Sequence, residues 1–290
     1  MRFYRRNRRS AVKRGENEHR RRALAGLAGR VVELGAGDGA NFAFYPETVS
    51  EVVAIEPEPR FREQAQEAAR EAAVPVCVLP GTAEALPLED ESVEAVVASL
   101  VLCTVPDAEQ ALTEARRVIR PGGELRFYEH VHAERQPLRG ILEIADRSRI
   151  WPTVGGGCHP TRDTVKAIET AGFVVERCER FPFSPSPVIP KIPHILGVAR
   201  QPEDLPGFTP ALVSAVSRRP LLGESSDAGD EPARHRYGHK PAALARPECR
   251  IPMPAALLPG CPHRTVLPLL LQQPPLGQRE LLGLGPVLPE

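Results

Sequence analysis

Short valine-rich apolar runs alternate with longer amphipathic stretches between residues 30 and 200. Short apolar, β-branched runs predict buried strands, and apolar positions that recur every three or four residues predict helices. The predicted strands are 30–34, 52–56, 76–79, 93–99, 124–129, 173–180 and 195–200. The predicted helices are 59–73, 108–120, 138–150 and 161–171. Such alternation predicts an α/β domain with a parallel sheet covered on both faces.

The regular pattern ends near residue 200. Half of the 32 prolines fall in the last ninety residues, among leucines, glycines and charges without a sustained period. Because proline interrupts helices and central strands, this composition predicts a disordered tail. We therefore expect a basic N-terminal arm over 1–29, the α/β domain over 30–200 and a Pro/Leu-rich tail over 201–290.

Charge is uneven along the chain, although the formal net charge is zero. Residues 1–30 hold ten arginines and one lysine against two glutamates. A solvated, partly helical arm is the favoured interpretation, and contact with anionic lipid or nucleic acid is the alternative. We expect a small-molecule partner and no nucleic acid, while the sequence leaves the oligomeric state open.

The cysteines include no C-x-x-C pair, which argues against a zinc ribbon and a dense disulfide framework. No apolar run approaches the roughly twenty residues that cross a bilayer, and the N-terminus lacks the apolar core of a signal peptide. These features predict a cytoplasmic protein in a reducing compartment.

The segment RVVELGAGDG, residues 30–39, ends a predicted strand with an acid and then places glycines at every second position. Glycine accepts positive φ angles and lets backbone N–H groups approach a charged ligand. Dinucleotide sites favour G-x-G-x-x-G, whereas this loop reads G-x-G-x-G with Glu33 before it and Asp38 inside it. Acids at both places disfavour a pyrophosphate and favour a ligand with ammonium and sulfonium groups. The loop therefore predicts a site for S-adenosylmethionine (SAM).

Three further segments extend this predicted site. Glu56 follows the second strand about twenty residues after the loop, where a carboxylate accepts from ribose hydroxyls. After the third strand, the Ala83 N–H and the Thr82 hydroxyl are placed to read the edge of adenine. Residues 99–105 end the fourth strand, and their apolar character predicts a lining that excludes water near the methyl group. We interpret Cys103 in this segment as packing, because methyl transfer from a sulfonium needs no covalent enzyme intermediate.

Together these residues resemble the class I SAM-dependent methyltransferases with a type 11 domain, and in particular the group that methylates alkyl thiols. The resemblance is carried by ELGAGDG at 33–39, Glu56, ALPLEDESVEAVV at 85–97 and RVIRPGGELRFYEH at 117–130. It implies a Rossmann-like, doubly wound seven-stranded sheet in the order 3-2-1-4-5-7-6 with the last strand antiparallel. It also implies SAM as cofactor and a small, apolar acceptor, with a thiol favoured over a quinone, a phenol or a lipid.

The predicted cofactor-binding residues lie at the ends of four strands. They are Glu33, Gly35, Ala36, Gly37, Asp38, Gly39, Glu56, Pro57, Thr82, Ala83, Glu84, Ser99 and Leu100. His130, just past the fifth strand, is the leading candidate to help generate a thiolate, and a structural histidine is the alternative. Tyr45 is the second catalytic candidate, because it could close over the cofactor or the acceptor, and core packing is its alternative.

No metal site is expected. Cys158 and His159 look like half of one, but no other ligand stands at a suitable spacing, so a loop cysteine beside a histidine at a helix start is favoured. Two other functional classes stay open. An NAD-dependent oxidoreductase is disfavoured by the spacing of the glycines, and a non-catalytic binding protein with the cofactor fold is disfavoured by the intact cofactor residues.

Overall fold

The computed structural model describes residues 10–154, 156–187 and 189–203, so the predicted arm up to residue 9 and the predicted tail from residue 204 lie outside the described residues. The strands are β1 (Gly29–Leu34), β2 (Val49–Ile55), β3 (Val76–Leu79), β4 (Val93–Ser99), β5 (Ile119–His130), β6 (Val174–Phe183) and β7 (Ile192–Arg200). The helices are α1 (Glu16–Leu24), α2 (Pro59–Ala69), α3 (Ala108–Val118), α4 (Leu138–Arg147), α5 (Ile150–Val154) and α6 (Thr164–Thr170).

Within the described ranges, seven strands form one sheet in the order β3-β2-β1-β4-β5-β7-β6. Neighbouring strands from β3 to β5 are parallel, whereas β7 runs antiparallel to both β5 and β6. The predicted strand order and the antiparallel last strand are confirmed. The strand order reverses between β1 and β4, and ligands of open α/β sheets bind outside the carboxyl ends of the strands at such a point.

Alternate residues of the central strands supply the two faces of the sheet. In β4, Val96 and Ala98 pack in one apolar cluster with α3 and α6, whereas Ala95 and Val97 pack in a second cluster with α1 and α2. This division follows because successive side chains of a strand point to opposite faces. The predicted doubly wound arrangement is confirmed.

The boundary between α3 and β5 differs from the prediction. Helix α3 ends at Val118, and β5 begins at Ile119, within the segment predicted as helix. Pro121 cannot continue a helix and disfavours helical backbone in the residue before it, so the chain is already extended there. A register shift between Val93 and Ala95 accommodates this early start of the strand.

Packed residues continue on both sides of the segment 30–200. Residues 10–13 are helical, and Leu24 and Leu27 are buried in the cluster that contains α2, so this part of the predicted arm is packed on the domain rather than solvated. At the other end, the Gln201 N–H donates to the Gly123 carbonyl at 2.9 Å, which continues the sheet contacts past residue 200. Among the helices of the described ranges, none has the length and apolarity needed to span a bilayer.

Candidate active site

The glycine loop after β1 brings bare backbone to the point where the strand order reverses. Gly35, Gly37 and Gly39 adopt φ angles of 57°, 58° and 78°, a region that residues with side chains rarely occupy. A Cβ atom on Gly35 would come within 2.6 Å of Val101 Cγ2, so this part of the loop has no space for a side chain. The Ala36 N–H donates to a carbonyl at the end of β2 at 3.0 Å, which ties the loop to that strand.

Glu56, at the end of β2, lies against the same loop. Its carboxylate accepts from the Gly37 N–H at 2.7 Å and from the Glu58 N–H at 2.9 Å, and the residue is only 5% exposed. The carbonyl of the next residue, Pro57, accepts from Arg62 of α2 at 2.7 Å. A carboxylate has about four lone-pair positions, so Glu56 can hold the loop and still accept from two ligand hydroxyls.

Glu33 stands at the end of β1 with both carboxylate oxygens hydrogen-bonded. Asn41 Nδ2 donates to one oxygen at 2.9 Å, and the Tyr45 hydroxyl donates to the other at 2.7 Å. Burial raises the pKa of Glu33 to about 7, although the hydrogen bond from Tyr45 and the charge of Arg20 favour the ionised form. Glu33 can therefore change its charge near neutral pH. We refer to Glu33, Glu56 and the loop 35–39 as the cradle.

The Tyr45 hydroxyl is buried and donates a hydrogen bond to Glu33, so it is not free to contact a methyl acceptor. Burial raises the pKa of Tyr45 well above its ordinary value, and the Glu33 charge acts in the same direction, so the phenol stays protonated. This contact favours a positioning role of Tyr45 toward Glu33, and its catalytic role stays a prediction.

The turn after β3 carries the residues predicted to face adenine. Thr82 is exposed and Ala83 is buried, and Gly81 lies so close to Ile55 of β2 that a Cβ there would contact Ile55 Cγ2 at 3.1 Å. This turn therefore lies next to the end of β2, as the cradle does. The Glu84 carboxylate instead accepts from a backbone N–H at the start of α3 at 3.4 Å.

Arg20 of α1 reaches toward the cradle, although sequence reasoning assigned it to a solvated arm. Its Nη1 donates to Asn41 Oδ1 at 2.9 Å and to Ser99 Oγ at 3.3 Å, and its Nη2 lies 3.3 Å from Glu16 Oε1. The side chains of Arg20 and Glu16 are only 11% and 8% exposed, so a guanidinium is held largely out of water beside the glycine loop. The four-residue spacing of Glu16 and Arg20 is the signal that could have indicated a packed helix here.

A buried acid on β5 holds the segment that follows β4. Leu100 adopts a φ of 58°, and its N–H donates to a backbone carbonyl of β5 at 2.7 Å. Glu129 accepts from the N–H groups of Val101 and Leu102 at 2.9 Å each. It also accepts from the Cys103 N–H at 3.2 Å. Burial raises the pKa of Glu129, while these hydrogen bonds favour the carboxylate. Sequence reasoning missed Glu129, whose partners are backbone groups of another segment.

Cys103, His130 and Cys158 come together from three distant segments, and we call them the Cys-His-Cys cluster. His130 Nδ1 lies 3.4 Å from Cys103 Sγ and 3.2 Å from Cys158 Sγ. The ligand-type atoms of the three residues all lie within 4.8 Å of one another. Both cysteines are free and buried, whereas His130 at the end of β5 keeps partial exposure.

The members of the cluster shift one another's proton affinities. A hydrogen bond with Cys103 lowers the pKa of Cys158 well below its ordinary value, and the nearby His130 acts in the same direction. The same hydrogen bond, together with burial, raises the pKa of Cys103. Burial opposes charge on His130, but the Cys158 thiolate outweighs it, so the pKa of His130 is raised. The cluster therefore favours a Cys158 thiolate beside a protonated His130.

His159, next in sequence to Cys158, points away from the cluster. Its Nδ1 lies 2.7 Å from Asp146 Oδ1, and its backbone N–H donates to the Cys103 carbonyl at 2.6 Å. The premise that Cys158 has no further candidate ligand is therefore wrong, because the fold supplies Cys103 and His130. His159 contributes through its backbone, which fastens the loop carrying Cys158 to the segment after β4.

Comparison with known proteins assigns this arrangement to a family. Residues 32–127 match the model described as a methyltransferase domain. The chain is 38% identical over 181 residues to thiol S-methyltransferase TMT1B of Mus musculus, covering 61% of this chain and 73% of that protein. It is 37% identical over 199 residues to the Homo sapiens protein of the same name, covering 67% and 80%. The chain belongs to this methyltransferase family.

The fold of the methyltransferase is also shared with solved structures. A SAM-dependent methyltransferase from Thermotoga maritima, described as a possible histamine N-methyltransferase, superimposes with a TM-score of 0.52 at 24% identity. The match covers 68% of this chain and 94% of that one. The predicted enzyme class and fold are confirmed.

The cradle of the methyltransferase fits the cofactor of its class. The glycine loop presents backbone at positive φ angles, and the carboxylate of Glu56 beside it keeps acceptor positions for ligand hydroxyls. Glu33 and Arg20 place an acid and a guanidinium on opposite sides of Asn41. A ligand that carries both an ammonium and a carboxylate group matches this donor set.

Proposed function

We propose that this methyltransferase uses SAM and transfers its methyl group to the sulfur of a small, apolar thiol. The observation that carries the acceptor class is the 37–38% identity, across most of their length, to relatives named thiol S-methyltransferases. The fit of the cradle supports the cofactor. The apolar segment after β4, with Val101 and Leu102 buried, supports an acceptor with little charge.

In the cofactor complex, Glu56 would accept from the ribose hydroxyls, and the backbone of Gly35 to Gly39 would lie along the methionine end. Thr82 and Ala83 would border adenine, because their turn packs next to the end of β2. Ser99 and Leu100 would close the side that faces the methyl group. These assignments keep the predicted cofactor residues, apart from Glu84, whose carboxylate contacts α3.

Arg20 and Glu33 would bind the carboxylate and the ammonium group of the methionine part of SAM. A guanidinium and a carboxylate form strong, directional hydrogen bonds, and a largely desolvated guanidinium strengthens them further. Arg20 would therefore receive the carboxylate of the cofactor. Glu33, held in place by Asn41 and Tyr45, would attract its ammonium group when ionised.

SAM supplies a methyl group on a sulfonium, which is already a good electrophile. The chain therefore needs to align an acceptor thiolate with that methyl carbon and to keep water away from both. By analogy with the cysteine side chain, whose ordinary pKa is near 8.5, only about 3% of an acceptor thiol would be thiolate at pH 7. His130 was the predicted source of help for deprotonation, but its Nδ1 already faces the sulfurs of Cys103 and Cys158.

Transfer of labelled methyl from SAM to matched acceptor pairs tests the proposal. Each pair shares one carbon skeleton and differs only in the nucleophilic atom, for example thiophenol and phenol, or an alkyl thiol and its alcohol. We expect label in the thioethers and little in the ethers. Label in phenols or quinones but never in thiols would overturn the thiol assignment while leaving the cofactor assignment intact.

A further inference from the structure

The Cys-His-Cys cluster has the composition and spacing of a metal site. Zinc binds thiolate sulfur at about 2.3 Å and imidazole nitrogen at about 2.0 Å, and at a tetrahedral angle these lengths separate nitrogen from sulfur by roughly 3.5 Å. The observed separations from His130 Nδ1 are 3.4 Å to Cys103 Sγ and 3.2 Å to Cys158 Sγ. A metal ion could bind with only small movements of the side chains.

The backbone around the cluster is fixed before any metal enters. Glu129 holds the Cys103 N–H, and the carbonyl of Cys103 accepts from the N–H of the residue that follows Cys158. Gly157, with a φ of 92°, lets the second loop approach Thr104 closely, since a Cβ there would lie 3.2 Å from Thr104 Cγ2. The ring of His130 packs edge-on against His194 at 4.4 Å between centroids. Such support orients ligands in advance.

The donor set and its burial select the kind of ion. Two thiolates and one imidazole form a soft set that suits zinc and disfavours magnesium or calcium. Two thiolates also balance the charge of a divalent ion, so the buried complex with Cys103 and Cys158 carries no net charge. Zinc is redox-inert, so no oxidant or reductant is needed.

We propose that Cys103, His130 and Cys158 bind one Zn²⁺ whose fourth position takes the acceptor thiolate. Three protein ligands with one open position are typical of catalytic zinc sites, whereas structural sites use four. Cys103 follows the end of β4 and His130 is the last residue of β5, and the segment with Cys103 continues from Val101, whose side chain lies against Gly35. Zinc bound there would thus lie next to the glycine loop, on the side that faces the methyl group.

The role of the fourth position rests on the proposed function. The acceptor thiol would lose its proton to solvent as sulfur binds zinc. A sulfur lone pair would then form the bond to the methyl carbon, while the bond from that carbon to the sulfonium breaks and its electron pair stays on the departing sulfur. The thioether product is a weak zinc ligand and would leave, together with S-adenosylhomocysteine (SAH).

Metal content and cobalt spectroscopy of the full chain test the site without relying on activity. We expect about one zinc per chain after dialysis, and at least a tenfold lower content in Cys158→Ser and Cys103→Ser. Cys178→Ser is the matched control, because Cys178 is a free but exposed cysteine on β6 and should keep the zinc. Replacement of zinc by Co²⁺ should give thiolate-to-cobalt charge-transfer bands that the Cys158→Ser variant loses.

Addition of an alkyl thiol to the cobalt protein, without SAM, tests the open position. We expect the cobalt bands to shift with one thiol per metal, and no shift with the matching alcohol. Unshifted bands would show that the fourth position of the metal does not take a thiol, and would overturn its proposed role in binding the acceptor. Failure to bind zinc or cobalt, or a Cys103–Cys158 disulfide in the purified protein, would overturn the site itself. Calorimetric binding of SAH reports on folding and on the proposed cofactor separately from all these outcomes.

Discussion

The cradle and the Cys-His-Cys cluster lie at the carboxyl ends of neighbouring strands, but they are built in different ways. The cradle consists mainly of backbone from one continuous loop, with Glu33 and Glu56 at the ends of the two strands beside it. The cluster consists of side chains that are far apart in sequence: His130 is 27 residues from Cys103 and 28 residues from Cys158. A loop of backbone can be recognised from its spacing, whereas a cluster of side chains exists only once the sheet has formed.

This difference also separates two tasks. Backbone amides and carboxylates suit a cofactor whose polar groups never change, while sulfur and imidazole suit a reacting thiol or a metal ion. Variants in one region should therefore leave the binding function of the other intact.

Gly37→Val should weaken SAH binding by at least about 100-fold, or ~2.7 kcal/mol. Valine fills space at the loop and is strained at a φ of 58°, which costs about 1–2 kcal/mol of stability. Calorimetric titration measures the affinity, and thermal unfolding measures the strain. Gly26→Val is the control, because Gly26 has a φ of 79° and a Cβ there would meet only the Arg126 guanidinium, at an ordinary 3.9 Å, so this variant should show strain alone. Wild-type affinity in Gly37→Val would contradict the cradle.

Arg20→Met should weaken SAH binding by about 2 kcal/mol, roughly 30-fold, because a charge-assisted hydrogen bond to the carboxylate is lost. Decarboxylated SAH, which keeps the amine, should bind the variant and the wild type equally. Arg21→Met changes an exposed neighbour on the same helix and should have little effect. Equal losses for both ligands would assign Arg20 a structural role instead.

Glu33 should make cofactor affinity depend on pH. Because burial raises its pKa to about 7, the ionised fraction falls about tenfold from pH 8 to pH 6, and SAH affinity should fall with it. Titrations across this range measure the slope, and Glu33→Gln should remove it. The same shift affects stability: the native state holds this proton more tightly, so stability falls as pH rises from about 4.5 through 7. A slope that persists unchanged in Glu33→Gln would exclude Glu33 as its source.

Cys158→Ser should leave SAH affinity within about twofold of the wild type, since the cluster does not contribute to the cradle. Methyl transfer to thiols should nevertheless fall sharply in this variant. Calorimetry and the labelled-methyl assay, performed on one preparation, give both values. A parallel loss of cofactor affinity would show that the two regions form a single site.

Much of the fold and the cradle could be predicted because short-range patterns encode them. Short runs, most of them rich in valine, located the seven strands of the described residues, and the spacing of glycines with Glu33 and Glu56 located the loop. Arg20 was missed because an arginine-rich segment has the composition of a solvated arm, whereas the burial of Leu24 and Leu27 shows that the segment is packed. The cytoplasmic location and the outer domain boundaries stay predictions.

The cluster could not be predicted because none of its members signals the others. Cys158 pairs in sequence with His159, yet in space it faces His130 and Cys103. Tyr45 follows the glycine loop as an acceptor-facing aromatic would, but its hydroxyl is bound to Glu33. Both outcomes depend on which way a side chain points after the strands have paired, which periodicity and spacing do not encode.

Calorimetric titration of the wild-type protein with SAH and, separately, with NAD tests the central claim most directly. Both ligands carry adenosine, but only SAH has an ammonium and a carboxylate for Glu33 and Arg20. We predict saturable heat with one SAH per chain and none with NAD at the same concentration. Heat from NAD alone would contradict the cradle as a SAM site and restore the oxidoreductase alternative.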